Sequence, residues 1–373
     1  MPKLKVIEKS VSPNKKRRTE AEMRDVISNL PDSLLLHILS FLPTKQAVST
    51  SLLSKRWRPL WHSLSSFDLE HPSSGCRLFH RFIRKVLKLV DLKPVKKFVL
   101  RIQIHHYEPC KYITPSKICE WINAVISNKI DHLELYLQPW WSCELPSLGF
   151  FTANNIKVLK LRGLTVINLS HVNLPSLEVL HLVYTRFSLA VSLEMLISAC
   201  PLLKDLVVRS ILFGHYKPLN NIGGLNHLIT AEIPQYLLPM KVLSNVTVLR
   251  LNNNNVPSFW DAVIKQCMWP FSDDMPMFYN LTHLACVLTV EWTKMVNCLQ
   301  YFPKLEKLVI SESSFDDEAG ITSPPEPVLD VPPCVSLHLK EINFCCFNGS
   351  DNEREMLNFL IKNARVLRRV SVK

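Results

Sequence analysis

The sequence has few glycines and lacks the patterns that mark most enzymes and membrane proteins. Only 8 glycines occur in 373 residues, and there is no glycine-rich phosphate loop, nucleophile elbow, zincin helix or kinase signature. No apolar run reaches the roughly 18 residues of a membrane span, and residues 1–24 are polar and basic. We therefore expect neither an enzyme nor a secreted or membrane-bound protein.

A metal-binding cysteine pattern is also missing. The 11 cysteines are odd in number, lie scattered in apolar segments, and form no Cys-x-x-Cys pair or zinc-spaced Cys/His cluster. The neighbours His105-His106 and Cys345-Cys346 would point to opposite faces of a strand, so neither pair could chelate a metal. We expect reduced thiols, no metal and no cofactor, in a protein of the nucleus and/or cytoplasm.

Basic residues outnumber acidic ones only in the first quarter of the chain, where the whole net charge of +12 lies. Residues 1–24 hold eight basic and three acidic side chains, and residues 71–97 hold eight and one. Residues 25–70 and 98–373 are each balanced. Because a nucleic-acid binder usually spreads basic residues over its reading face, this balance argues against nucleic acid as the partner.

The tail over residues 1–24 contains a compact basic cluster on a polar segment that we expect to be disordered. A nuclear import signal has this composition, and a solvated arm without a receptor is the alternative. The cluster consists of Lys15, Lys16, Arg17 and Arg18.

Residues 25–70 predict three short helices. Pro31 suits the first turn of the first helix and Pro43 ends it, while Thr44 begins the second and the third begins near Ser54. Such short helices can hardly enclose all their leucines and two tryptophans, so some apolar surface is expected to dock on a partner. A small independent bundle is the alternative.

The same segment resembles the F-box motif over nearly its whole length. The runs Leu30 to Asp32, Ile38 to Pro43 and Leu53 to Trp61 carry the resemblance. It implies a non-catalytic protein that binds a Skp-type adaptor and, through it, a cullin–RING ubiquitin ligase. The residues that it implies for adaptor contact, or for packing beneath that contact, are Leu30, Pro31, Leu34, Ile38, Leu39, Leu42, Pro43, Val48, Leu52, Leu53, Trp57, Leu60 and Trp61.

The basic link over residues 71–97 predicts a two-faced helix at residues 77–90. One face carries Arg77, Arg81, Arg84 and Lys88, and the other carries Leu78, Phe82, Val86 and Leu89 or Val90. Such a helix could lie on an anionic membrane, meet an acidic patch of an assembled ligase, or cap the following region. We expect the capping role, with the charged face in water.

From residue 98 onward a six-residue pattern recurs, with leucine or another apolar residue at its first, fourth and sixth positions. Its fourth positions are Leu133, Leu159, Leu180, Leu206, Leu249, Leu284, Leu308 and Ile342. Several spacings between successive fourth positions are 21 to 26 residues, which matches the period of leucine-rich repeats. Longer spacings indicate inserted loops. We expect a repeat solenoid over residues 98–333, with a different β-rich or α/β core as the alternative.

The C-terminal segment predicts a helix followed by a strand and resembles the FBD domain of plant F-box proteins. Assigned to residues 334–373, it would close the repeat array. The expected fold is therefore α plus α/β: a small three-helix F-box, a leucine-rich repeat solenoid and an FBD cap. Nearly the whole chain resembles the plant F-box/leucine-rich repeat/FBD family.

This resemblance implies the substrate-recognition subunit of an SCF-type (Skp–cullin–F-box) ubiquitin ligase, whose repeats bind an unidentified target protein. Strand register alone selects a candidate target face of Tyr136, Lys160, His181, Val207, Arg250 and Val309. A nuclear scaffold or DNA-associated interaction protein that acts without a ligase is the alternative.

Overall fold

The computed structural model describes two compact units, which divide between Leu64 and Ser65. It describes residues 27, 29–72, 75–90, 95–103, 112–127, 129–137, 143–144, 149–166, 169, 171–213, 219, 222–223, 225–234, 237–252, 275–288, 292–312 and 330–373. Within these residues the chain is mixed α/β, with eight α-helices and a large parallel sheet.

The first unit begins with two α-helices, each introduced by a proline. Helix α1 is Asp32–Ser40 with Pro31 as N-cap, and α2 is Thr44–Ser49 with Pro43 as N-cap. A 3₁₀ turn, Thr50–Leu52, continues α2. Proline fits these positions because it has no amide hydrogen to donate and its φ suits a helix start.

The predicted third helix of this unit is wrong. Residues 55–59 form turns, and only the short 3₁₀ helix Leu60–Ser63 follows. Pro59 explains the difference, because its ring disfavours helical backbone at the preceding residue and it cannot donate the hydrogen bond of a helix interior.

The second unit is organised around two parallel sheets. Its strands are β1 Ser66–Glu70, β2 Lys97–Ile102, β3 His132–Leu137, β4 Cys143–Glu144, β5 Val158–Arg162, β6 Leu164–Val166, β7 Val179–Val183, β8 Arg186–Phe187, β9 Asp205–Arg209, β10 Leu212–Phe213, β11 Thr230–Pro234, β12 Val248–Asn252, β13 His283–Leu288, β14 Lys307–Glu312, β15 Glu341–Cys345 and β16 Arg369–Val372. The 12-stranded sheet has the order β1-β2-β3-β5-β7-β9-β11-β12-β13-β14-β15-β16, and the 4-stranded sheet has the order β10-β8-β6-β4.

One aligned row of apolar side chains forms the centre of the core. All eight fourth positions of the sequence pattern lie in this row, each at most 1% exposed. Alternate residues of a strand point to opposite faces of the sheet. On each strand, the residues directly before and after the core position therefore face outward.

Three strands of the large sheet were not predicted from the sequence. These are β1, β2 and β11, and β11 has Ala231 where the eight strands of the sequence pattern have leucine or isoleucine. Residues 66–70, which the sequence pattern assigned to the F-box segment, pair with β2 as the first strand of the sheet. Their alternation of Phe67 and Leu69, both buried, supplies the physical reason.

A left-handed residue directly follows four of the long strands. These residues are Gly163, Tyr184, Ser210 and Cys346, with φ between 51° and 74°. The three that are not glycine cost about 1 to 2 kcal/mol each in backbone strain. After β5, β7 and β9 this turn leads the chain into β6, β8 and β10 of the small sheet.

Six helices lie in the connections between strands. They are α3 Cys76–Val90, α4 Pro115–Ile126, α5 Ala190–Ser198, α6 Trp292–Cys298, α7 Pro333–Leu337 and α8 Asp351–Asn363. Searching the helices within the described ranges finds none with the length and apolar character to cross a membrane.

Helix α3 buries an apolar stripe that shares Val86 with the predicted one and otherwise differs from it. Phe79, Ile83 and Val86 are at most 4% exposed, whereas Leu78, predicted on the apolar face, is 69% exposed. Two stripes of i, i+4 apolar spacing run side by side on this helix, and contact with the rest of the unit selects one of them.

A carboxylate organises the start of α8. The Ser350 hydroxyl accepts a hydrogen bond from the Glu353 amide at 3.3 Å, and Glu353 accepts bonds from the Asn348, Gly349 and Ser350 amides at 2.7–3.1 Å. This capping box satisfies amides that would otherwise lack partners. Beyond α8, β16 forms the edge of the sheet, and its core-side residues Val370 and Val372 are 39% and 45% exposed.

Candidate functional site

Helix α1 carries two apolar stripes, one buried and one exposed. Leu35 and Leu39 are fully buried in the core of the first unit. Leu34 and Ile38 are 48% and 44% exposed, and Phe41, the C-cap residue on the same stripe, is 75% exposed. A helix of one small unit needs only one apolar stripe for its own core, so the second stripe is a candidate binding surface.

Two further leucines extend the exposed apolar area of this unit. Leu52 is 90% exposed and Leu53 is 68% exposed, at the end of the turn that continues α2. We call the set Leu34, Ile38, Phe41, Leu52 and Leu53 the N-terminal apolar surface. Large exposed aliphatic and aromatic side chains at this density are typical of a binding surface and costly to leave in water.

The structure divides the 13 sequence-derived adaptor residues by burial. Leu39, Trp57 and Leu60 are buried in the core, where they support the surface from beneath. The exposed members are Pro31, Leu34, Ile38, Pro43, Leu52 and Leu53, and the half-buried ones are Leu30, Leu42, Val48 and Trp61. Sequence reasoning missed Phe41, although its spacing of seven residues from Leu34 places both on one stripe.

An ion pair holds the start of α1 against the turn that follows α2. The Arg56 guanidinium donates to Asp32 Oδ1 from Nε at 2.9 Å and from Nη2 at 2.6 Å, and Nη2 also donates to the Leu30 carbonyl. Charge-assisted bonds from one guanidinium to two chain positions fix orientation well. Arg56 therefore positions the exposed stripe of α1.

The outward face of the large sheet is a second candidate surface. Its middle row is Asp68, Val99, Glu134, Lys160, His181, Val207, Glu232, Arg250, Ala285, Val309, Asn343 and Ser371. Five residues of the predicted target face lie in this row. Tyr136 lies two residues further along β3, in the next outward row, and Glu134 occupies the middle row of that strand.

Glu134 is the centre of a polar network that sequence reasoning missed. It is 6% exposed and contacts His132 Nε2 at 2.5 Å and the Tyr136 hydroxyl at 2.8 Å. The ammonium groups of Lys160 and Lys97 lie 3.7 and 3.8 Å away. The hydrogen bond from His132 is the largest of the causes that lower the pKa of Glu134 to about 2.

Arginine and tyrosine alternate along the carboxyl ends of neighbouring strands. The Arg101 guanidinium lies 5.1 Å from the centre of the Tyr136 ring, Tyr136 pairs in register with Arg162, and the Arg162 guanidinium lies 5.2 Å from the Tyr184 ring. We call these four residues the Arg/Tyr ladder. Arg162 and Tyr184 are exposed, and cation–π stacking pre-orders both side chains.

Other outward charges are paired across strands. His181 Nε2 lies 2.8 Å from Asp205 Oδ2, Thr230 donates to the same carboxylate, and Arg209 pairs with Glu232. The hydrogen bond from His181 is the main cause that lowers the pKa of Asp205. The described ranges contain no cluster of three His, Cys, Asp or Glu side chains that could hold a metal ion. The basic cluster Lys15 to Arg18 lies outside the described residues.

Comparison with known families finds a matching domain model near each end of the chain. A model of the F-box domain matches residues 27–69, and the FBD model matches residues 326–372. F-box proteins are typically non-catalytic, and F-box domains in general bind Skp-type adaptors of SCF complexes.

Individual relatives extend the similarity to the middle of the chain. An FBD-associated F-box protein of Arabidopsis thaliana is 30% identical over 92% of this chain and 91% of its own length. An F-box/LRR-repeat protein of the same plant is 39% identical over 77% of this chain and 91% of its own length. The similarity to F-box/LRR-repeat protein 13 is 36% over half of this chain and spans only 41% of that relative. The chain belongs to the plant family of F-box/LRR-repeat and FBD-associated F-box proteins.

Proposed function

We propose that this protein is the substrate-recognition subunit of an SCF-type ubiquitin ligase and has no catalytic role of its own. The observation that carries the proposal is the second apolar stripe of α1, which the unit's own core leaves exposed. In this proposal the N-terminal apolar surface binds a Skp-type adaptor, and the adaptor links the protein to a cullin–RING ligase. The F-box family match supports this role.

The large sheet of the second unit is, in the same proposal, a leucine-rich repeat solenoid that binds the target protein. The single aligned row of buried leucines and the left-handed turn after four strands support a repeated unit. The outward face would then present its side chains to the target. Arginine and tyrosine are the residue types that carry most binding energy at protein interfaces, which favours the Arg/Tyr ladder as the centre of that contact.

Co-purification with a Skp-type adaptor tests the first half of the proposal. The full chain is expected to retain the adaptor on an affinity column, and the double variant Leu34→Glu, Ile38→Glu is expected to lose at least about tenfold in affinity. Burying two carboxylates against an apolar partner costs more than the lost apolar contact alone.

A matched control separates adaptor binding from general damage to the surface. Leu189→Glu, Val191→Glu places two carboxylates at apolar positions of similar exposure, 49% and 53%, in the second unit. This control variant is expected to bind the adaptor as the unchanged protein does. Failure of the unchanged chain to bind, or equal binding by both variants, would contradict the proposal.

A further inference from the structure

A groove of about 460 Å³ lies between α3 and α4 on the second unit, and its lining includes no residue of either surface described above. The groove is lined by His80, Arg84 and Lys88 from α3 and by Lys117 and Glu120 from α4. Apolar lining comes from Leu87, Trp121 and Ala124, and Trp121 is only 2% exposed. The lining of the groove therefore combines charged side chains, most of them basic, with apolar ones.

Positive charge exceeds negative charge in this groove, because its lining holds Arg84, Lys88 and Lys117 and only one carboxylate, that of Glu120. Helix α3 contains five arginines and lysines and neither aspartate nor glutamate. Arg84 and Lys88 are exposed and form no ion pair within the described part of the chain. The pKa of His80 is lowered by burial and then by Lys117 and Arg84, so the field of these cations reaches the groove interior.

A membrane and a duplex nucleic acid both fit this groove poorly. Phe79, Ile83 and Val86 of α3 are buried against the rest of the unit, and Leu78 is the one large apolar side chain on the described part of this helix that is mostly exposed, which is a small apolar area to enter a bilayer. Residues 98–373 carry no net charge, so the groove is not part of an extended basic track of the kind that follows a phosphate backbone. A short peptide segment matches both its size and its mixed lining.

We propose that the groove between α3 and α4 binds an acidic segment of a partner protein. Arg84 and Lys88 pair with its carboxylates, and an apolar side chain beside them contacts the apolar lining at Leu87 and Ala124. The site is distinct from the adaptor and target surfaces of the proposed function, and it holds whether or not the chain acts in a ligase. Complementary charge on such a segment would chiefly set the rate and specificity of docking.

Fluorescence anisotropy with the full chain tests the site. The probe is a labelled peptide in which glutamate alternates with leucine, and the comparison peptide has glutamine in place of every glutamate. We expect saturable binding of the acidic peptide, weaker binding as salt is raised, and at least about tenfold weaker binding by Arg84→Glu, Lys88→Glu.

The matched control is Arg81→Glu, Lys85→Glu, which makes the same charge change on the same helix outside the groove lining. It is expected to weaken binding by less than about twofold, because only the screened field changes. Equal losses in both variants, equal binding of the glutamine peptide, or tighter groove-dependent binding of duplex DNA or anionic vesicles would overturn the proposal. Thermal unfolding of both variants confirms that these exposed substitutions leave the fold intact.

Discussion

Glu134 shows how much a single outward residue of the sheet can depend on its neighbours. Its carboxylate is nearly buried, yet it is satisfied by His132, Tyr136 and two lysines from adjacent strands. Burial by itself would raise its pKa, and the hydrogen bonds and positive charges outweigh that effect. The folded state therefore favours the charged form of this group.

The lowered pKa predicts a pH-dependent contribution of Glu134 to stability. Its stabilisation is present above the ordinary pKa near 4.5 and is lost as the pH falls toward about 2. Glu134→Gln is expected to lower the free energy of unfolding by about 2 kcal/mol at neutral pH and by less near pH 3. Urea unfolding at both pH values measures the difference.

Glu70→Gln is the control for this prediction, because Glu70 is an exposed carboxylate on the same face of the same sheet. It is expected to change stability by a few tenths of a kcal/mol. Equal effects of the two substitutions at neutral pH would show that the network around Glu134 contributes nothing specific.

At the scale of elements, the exposed surface of α1 can be predicted from the sequence more fully than that of the large sheet. On α1 a helical period and two prolines define both apolar stripes within one short segment. The Arg/Tyr ladder instead joins residues on, or directly after, four different strands, from Arg101 to Tyr184. Its existence depends on strand register, which aligns positions far apart in the chain.

The ladder predicts which substitution interrupts target binding. The adaptor-deficient variant Leu34→Glu, Ile38→Glu is expected to accumulate target proteins in cells, because it holds them without delivering them to a ligase. Adding Arg162→Glu is expected to reduce that capture about tenfold, since it replaces a stacked guanidinium with a charge of opposite sign. Quantitative mass spectrometry of the captured proteins provides the measurement.

Arg186→Glu is the matched control, because Arg186 is an exposed arginine of the small sheet, outside both the ladder and the predicted target face, and it is expected to leave capture unchanged. Capture that is sensitive to Arg250→Glu and insensitive to Arg162→Glu would move the target face toward β12. Insensitivity to both would leave the outward face without a role in target binding.

The whole molecule is asymmetric in charge, since its entire excess of +12 precedes residue 98. Part of that excess surrounds the groove of α3, and part lies in the tail. We propose that the tail directs the protein to the nucleus, with a remaining fraction in the cytoplasm. This role would leave the two folded units free for their partners.

Replacing Lys15, Lys16, Arg17 and Arg18 with alanine is expected to reduce nuclear accumulation of a fluorescent fusion severalfold without changing adaptor binding. Replacing Lys3, Lys5 and Lys9 in the same tail is the control for a general loss of charge. Unchanged distribution in the first variant, or the same shift in both, would assign the cluster to a solvated arm. Fluorescence microscopy of plant cells measures the nuclear to cytoplasmic ratio.

The amino-acid sequence by itself determined the family, the parallel repeat of buried leucines and the first two helices. These features depend on local spacing: alternation along a strand, the helical period, and prolines at helix starts. Local spacing did not predict everything correctly. The predicted third helix does not form, because Pro59 interrupts it, and β11 was not predicted because Ala231 stands at its core position.

Only the tertiary structure decided which of two apolar stripes α1 and α3 bury, and which charged side chains come together. Periodicity tells which residues share a face, but burial depends on segments that arrive from elsewhere in the chain. Glu134 meets Lys97 and Lys160 through strand pairing, and Arg84 meets Lys117 through the packing of α3 on α4. No local pattern in the chain encodes those distances.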